Sequence, residues 1–189
     1  VGNLPEGVVC GSLNQIASEN PELVEPFLGK LADVSKDPFA ALNTGLAKDG
    51  LFLYIPDNVT VEKPIQVINL LKNNESTFSN QRNLFILGKN VEAKVVFCDH
   101  TLNDNYYIAN NLIECFVDQD ARLGLFSIQN QHTQATNIAS VFVKQEQGSK
   151  LDTNTITLNG GIIRNNLSVI LNGEHIETNL NGLSLLDGK

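Results

Sequence analysis

From residue 82 onward, apolar and polar positions alternate at period 2 in short runs, and the runs recur at a fixed spacing. The copies read RNLFILG, NNLIECFV, NIASVFVKQ and NNLSVILNG. Phe85, Ile113, Val141 and Val169 stand 28 residues apart, as do Leu87, Cys115, Val143 and Leu171. Alternation of this kind predicts strands with one buried face. Their recurrence predicts a solenoid, in which each unit buries its apolar face by stacking on its neighbours. Both rows are expected to point inward.

A tight polar connection follows each first strand: Gly88-Lys89-Asn90, Gln119-Asp120, Glu146-Gln147-Gly148 and Asn172-Gly173-Glu174. A second alternating strand comes next, in VEAKVVF, ARLGLFSI, SKLDTNTITL and IETNLNGLSLL. Gln119/Gln147, Ala121/Ser149, Leu123/Leu151 and Ile128/Ile156 repeat the 28-residue spacing, while Leu183 stands 27 after Ile156. The pattern predicts a mostly β fold: a right-handed parallel β-helix with coils of about 28 residues and two strands each. Asn137 and Asn165 are 28 apart, with Asn110 one residue off register before them. Such asparagines either form a side-chain ladder along the stack or simply tolerate a turn conformation.

The first 50 residues follow another rule. Ser12 is placed to cap a helix over Leu13–Glu19, and Asn20-Pro21-Glu22 reads as a second helix start. Leu23, Val24, Phe27, Leu28 and Leu31 follow it at helical spacing. Asp37-Pro38 opens a third helix with Phe39, Leu42 and Leu46 on one face, ended by Asp49-Gly50. The run GLFLYIPDNVTVEKPIQVINL then reads as two strands, and residues 72–82 (KNNESTFSNQR) as a polar loop between coils. The chain thus divides into residues 1–50, a helical segment suited to capping an open solenoid end, and residues 51–189, an incomplete β-helix core.

Composition narrows the function classes. A net charge of −8 argues against nucleic acid as a partner. No apolar run approaches the roughly 18 residues of a membrane span, so no membrane partner is expected. Three cysteines leave an odd thiol and make no metal spacing, which favours a reducing cytoplasm. The chain has no Met, even at position 1, and reads as an excised segment.

Candidate chemical groups are weak. Cys115 lies in an apolar row and reads as a core hydrophobe, and Cys10 and Cys98 as structural thiols. His100, His132 and His175 fall in polar turns, where solvated loop histidines are expected. Asp99, Asp104, Asp118 and Asp120 suggest the calcium-dependent polysaccharide lyases built on β-helices. That alternative needs acidic and basic side chains aligned across coils. No nucleophile elbow, phosphate-binding glycine loop or zinc spacing is present.

The run Asp37-Pro38-Phe39-Ala40-Ala41-Leu42-Asn43-Thr44-Gly45-Leu46, with Asp49-Gly50-Leu51-Phe52-Leu53-Tyr54-Ile55-Pro56 after it, resembles a segment of the SufB/SufD proteins. Val61-Glu62-Lys63-Pro64-Ile65 continues the likeness, which reaches back to Leu4–Val9 and Pro21–Val24. It runs on through Gly160–Leu167, Leu180–Leu183 and Leu186–Lys189. The coil DQDARL and the final stretch are more similar to SufD than to SufB. The resemblance implies a non-enzymatic subunit of the SUF iron–sulfur cluster assembly machine, paired with a SufB-like β-helix and working with the SufC ATPase. Family members continue past Lys189 into further coils and a helical region. The histidine implicated in holding the nascent cluster, and the SufC-binding surface, belong there. No cluster ligand, cofactor or flavin site therefore carries over to a residue of this chain. The open end at 180–186 is expected to recruit another chain, making a homodimer through the C-terminal coils.

Overall fold

A computed structural model describes residues 4–72 and 75–185. It is a parallel β-solenoid of two sheets. Strands β1 (Val9–Ser12), β2 (Leu51–Ile55), β4 (Thr77–Leu87), β6 (Tyr107–Val117), β8 (Ala135–Glu146) and β10 (Ile162–Asn172) form one sheet in that order. Strands β3 (Ile65–Leu71), β5 (Glu92–Thr101), β7 (Arg122–Asn130), β9 (Lys150–Asn159) and β11 (Glu177–Ser184) form the other. We call them sheets A and B. All pairings are parallel except that of β1 with β2.

Between the sheets lies an apolar core containing Leu53, Phe85, Cys115, Val143, Val95, Leu123 and Leu151. Each turn from sheet A to sheet B passes through a residue of positive φ: Asn58, Asn90, Asp120, Gly148 and His175. Asn, Asp and Gly carry little penalty in that conformation. The turns stack by backbone bonds, Asn58 N–H to Lys89 O, Asn90 N–H to Gln119 O and Asp120 N–H to Gln147 O.

The register corrects the two rows read from the sequence. Phe85 pairs with Cys115, Cys115 with Val143 and Val143 with Val169, so the in-register row is Leu53, Phe85, Cys115, Val143, Val169. Its steps are 32, 30, 28 and 26 residues. The coils shorten because the connections from sheet B to sheet A contract, from 102–106 to 131–134 to 160–161. On sheet B, Leu123 pairs with Leu151, Ile128 with Ile156, and Ile156 with Leu183, as the sequence spacing predicts. The asparagine ladder does not form: Asn137 pairs with Ala109 and Ile163, and Asn165 with Ala139. Residues 77–82, expected in a loop, are the first half of β4. Ser79 and Gln81 line the solenoid interior and Arg82 enters a buried ion pair, which disguises the strand.

The helices of the N-terminal segment lie on the outer face of sheet A. Helix α1 (Leu13–Glu19) is capped by Ser12 Oγ, which accepts from Gln15 N–H at 3.1 Å. Helix α2 is confined to Pro21–Val24, so the helical spacing of Phe27 to Leu31 is not realised. Leu13, Ile16 and Val24 pack on Phe52, Leu84 and Ile86, the outward side chains of sheet A. Helix α3 (Pro38–Leu46) is capped by Asp37, which accepts from Phe39 N–H and Ala40 N–H. It buries Ala40 and Asn43, and leaves the expected stripe residues Leu42 and Leu46 40% and 51% exposed. Asn43 Nδ2 donates to the carbonyls of Gln81 and Asn110, and Asn110 Nδ2 donates back to Phe39 O. A helix tied down by its asparagine has no need of a leucine stripe. The helical segment therefore flanks sheet A, while β1, with Val8 and Cys10 packing on the core, covers the first coil.

Candidate functional site

The most strongly built polar site lies on the outer face of sheet A. Glu114 on β6 and Arg82 on β4 point outward and are covered by residues 25–36. The Glu114 side chain is fully buried, and Arg82 Nη2 donates to its Oε2 at 2.6 Å. Gly29 N–H donates to Oε2 at 2.8 Å, and Leu31 N–H and Ala32 N–H donate to Oε1 at 2.7 and 3.1 Å. Arg82 Nη1 reaches Thr44 Oγ1 on α3. One carboxylate thus organises a loop with no regular structure and joins it to the solenoid. Four charge-assisted donors offset the desolvation of the ion. The site does structural work, and its acceptor capacity is taken up by the protein itself. Asp49-Gly50 continues the same seam: a Cβ on Gly50 would stand 1.7 Å from Arg82 O, so only glycine fits.

The thiols are dispersed. Cys115 is buried in the core, and burial, followed by the nearby Glu114 charge, pushes its thiol up. Cys10 is half-buried on β1, with its thiol also raised by burial. Cys98 lies on the outward row of sheet B and accepts from Gln66 Nε2 at 3.5 Å. Among the described residues no three His, Cys, Asp or Glu side chains gather as metal ligands.

The histidines part company with the sequence reading in one case: His100 lies within β5 instead of a turn. His132 sits in the connection after β7, its Nδ1 accepting from Gln134 N–H and its ring edge-on to Tyr107. His175 occupies an exposed turn at positive φ. The four acids do not align. Asp118 and Asp120 belong to the sheet A-to-B turns, Asp104 to the opposite connection, and Asp99 points into the solenoid. The geometry that a lyase requires is not assembled among them.

The last coil differs from all others. Leu167 and Leu171 on β10 and Leu180 on β11 continue the inward columns of Ile113–Val141, Leu87–Val117 and Val95–Leu125. They are 42%, 59% and 53% exposed, because no described strand stacks beyond β10 and β11. Leu171 is thus the one member of the two expected rows that is exposed to solvent. Around it Gln145 Nε2 donates to Glu177 O and Thr178 Oγ1 donates to Gln145 Oε1, tying the final coil to the one before. The result is an apolar cross-section flanked by β10 and β11, the last described strands of the two sheets.

No helix among the described residues is long and apolar enough to cross a membrane.

Comparison with known proteins agrees with this architecture. Residues 1–67 match the SufBD protein N-terminal region, and residues 70–189 match the SUF system FeS cluster assembly, SufBD core domain. The chain is 24% identical over 136 residues to iron–sulfur cluster assembly SufBD family proteins of Staphylococcus haemolyticus strain JCSC1435, Staphylococcus epidermidis strain RP62A and Staphylococcus aureus strain USA300. Each match covers 71% of this chain and 29% of the relative, so the matched part is under a third of those proteins. Both stretches of sequence, and the two-sheet solenoid that they build, place the chain in the SufBD family of iron–sulfur cluster assembly proteins.

Proposed function

We propose that the chain is the solenoid part of a SufD-like subunit that contributes partner surface, and no catalysis of its own, to cytoplasmic iron–sulfur cluster assembly. The observation that carries this reading is the parallel two-sheet solenoid, matched along its length by the SufBD N-terminal region and core domain. A SufB-like solenoid would pair with it, with a SufC-like ATPase acting on the assembled complex. The cluster is cargo of that complex. The separation of Cys10, Cys98 and Cys115 onto different parts of the fold supports a cluster site built elsewhere in the assembly.

The test is co-expression with SufB-like and SufC-like proteins, followed by affinity capture and size-exclusion chromatography. Co-elution of a SufB-like protein with the chain is the expected result. Absence of a SufB-like protein from the captured material would overturn the reading. Alone, the chain is expected to form a homodimer, seen as a concentration-dependent mass in light scattering. Iron and sulfide reconstitution of the chain alone should leave no chromophore after desalting.

A further inference from the structure

The helical segment packs on the outer face of sheet A, whereas the outer face of sheet B carries an apolar column of its own. Ile68, Cys98, Ile128, Ile156 and Leu183 stand in register across all five strands, pointing away from the core. Val96 and Phe126 lie beside the column, also in register with each other. Its two ends are open: Ile68 is 54% and Leu183 51% exposed. A contiguous apolar patch with a polar rim marks an interaction surface.

The rim says what kind of surface fits. Toward the strand starts, the outward charged residues are Glu92 and Lys94 on β5, Arg122 on β7, Lys150 and Asp152 on β9 and Glu177 on β11. Three positive and three negative groups cancel, although the whole chain carries a net charge of −8. This face can therefore meet a second copy without the repulsion that the rest of the acidic surface would bring. Its size is also adequate. Five strands of 7–10 residues make a face of roughly 600–800 Å². Two such faces bury about 1,200–1,600 Å², the extent of a specific protein interface.

We infer that two copies of this chain stack sheet B on sheet B, about a two-fold axis that runs parallel to the strands through β7. That axis lays β5 over the partner's β9 and keeps the rows matched. Glu92 then faces the partner's Lys150 and Lys94 faces the partner's Asp152, each contact occurring twice. Phe126 and Ile128 meet their own copies at the centre, where Gly124 has no side chain to hold the sheets apart. Ile68 comes over the partner's Leu183, so both open ends of the column are covered. Arg122 meets its own copy at the margin, with Glu92 beside it on β5. Aligned stacking of two twisted sheets is the packing of a β-sandwich. An interface of this size with a partly polar face associates at micromolar concentration, so in dilute solution sheet B is bare. The inference rests on the homodimer expected of the chain alone and supplies its surface; cluster assembly does not enter it.

The test is sedimentation equilibrium of the whole chain over a concentration series. The expected result is a dimer that is lost in Ile128→Glu, which sets a charge against its own copy on the axis. Lys94→Glu and Asp152→Lys should each weaken association by about tenfold, since each creates two like-charge contacts. An equal mixture of these two variants should dimerise again, because every altered residue then faces the opposite charge. A monomer at all concentrations overturns both the homodimer and its surface. A dimer that persists in Ile128→Glu and both charge variants, or that is lost only in Leu171→Glu, leaves the homodimer standing and overturns the surface. A mixture that stays monomeric overturns the two-fold arrangement. If Ile128→Glu does not fold, the variants at exposed Lys94 and Asp152 still decide.

Discussion

Sheet A and sheet B are built from the same coils but are stabilised differently. In β4 of sheet A, residues Arg82–Leu87 are buried without a break, because the core takes one face and the N-terminal segment the other. In β3 of sheet B, no residue is fully buried, and Ile68 and Leu70 stand 54% and 57% exposed on its outward face. A strand covered on both faces loses its alternation and can hold a buried ion pair, whereas one covered on a single face keeps a polar or exposed side. Sheet A is therefore the rigid spine, and its stability depends on contacts made by residues 12–46. The comparison is broken most directly at Glu114. Glu114→Ala leaves Arg82 buried without its partner and three backbone N–H groups without an acceptor, at a cost of about 3–5 kcal/mol. Urea unfolding measures the loss, and limited proteolysis should show cleavage within 25–36. A stability change under 1 kcal/mol would mean that the helical segment does not support the spine.

Core truncation comes next. Val141 points between the sheets but is only partly buried, since Leu167 beyond it is itself exposed. Val141→Ala is expected to cost about 1–3 kcal/mol, less than deletion of a fully buried Leu or Phe. Equal losses for Val141→Ala and Phe85→Ala would contradict a core that thins toward the last coil.

The coil plan was legible in the sequence, whereas the register was not. Alternation fixes which face a residue takes, but a slip of two leaves every apolar side chain pointing inward. Phe85 can therefore be matched to Ile113 or to Cys115 on pattern alone, and only the shrinking connections decide for Cys115. Caps were readable because Ser12 and Asp37 act locally. The Arg82–Glu114 pair was not, because its members stand 32 residues apart and charged residues default to the surface in a sequence reading. Strand β4 was half hidden for the same reason. The inward places of Leu167 and Leu171 in the last coil also needed the register. The likeness at Leu186–Lys189 lies outside the described residues.

A smaller effect should appear with pH. Burial raises Asp99 in the folded state above the ordinary carboxylate value of about 3.9. Between those two values the native state binds more proton than the unfolded chain, so this group's contribution to stability falls as pH rises. Asp33, drawn down to about 2 by the Ser35 hydroxyl, and Glu146, drawn down by Lys144, act with the opposite sign. The difference between wild type and Asp99→Asn removes those background groups. Wild type should lose stability relative to Asp99→Asn from pH 4 upward. A constant difference across the range would show that Asp99 does not titrate out of step.

The smallest expected effect gives the sharpest contrast, because Ile68 and Ile86 both point outward but from opposite sheets. Ile86 is 6% exposed beneath α1 and α2, and Ile68 is 54% exposed on edge strand β3. Threonine keeps the branched Cβ that a strand favours, so the substitution tests covering and leaves strand propensity nearly unchanged. At Ile86 the new hydroxyl would be buried among apolar side chains, costing about 1–3 kcal/mol. At Ile68 it would meet water, and the change should stay within about 0.5 kcal/mol. Matched urea titrations of the two variants give the difference directly. If Ile68→Thr cost as much as Ile86→Thr, the outer face of sheet B would have to be covered in solution, and the contrast between a clad sheet and a bare one would fail.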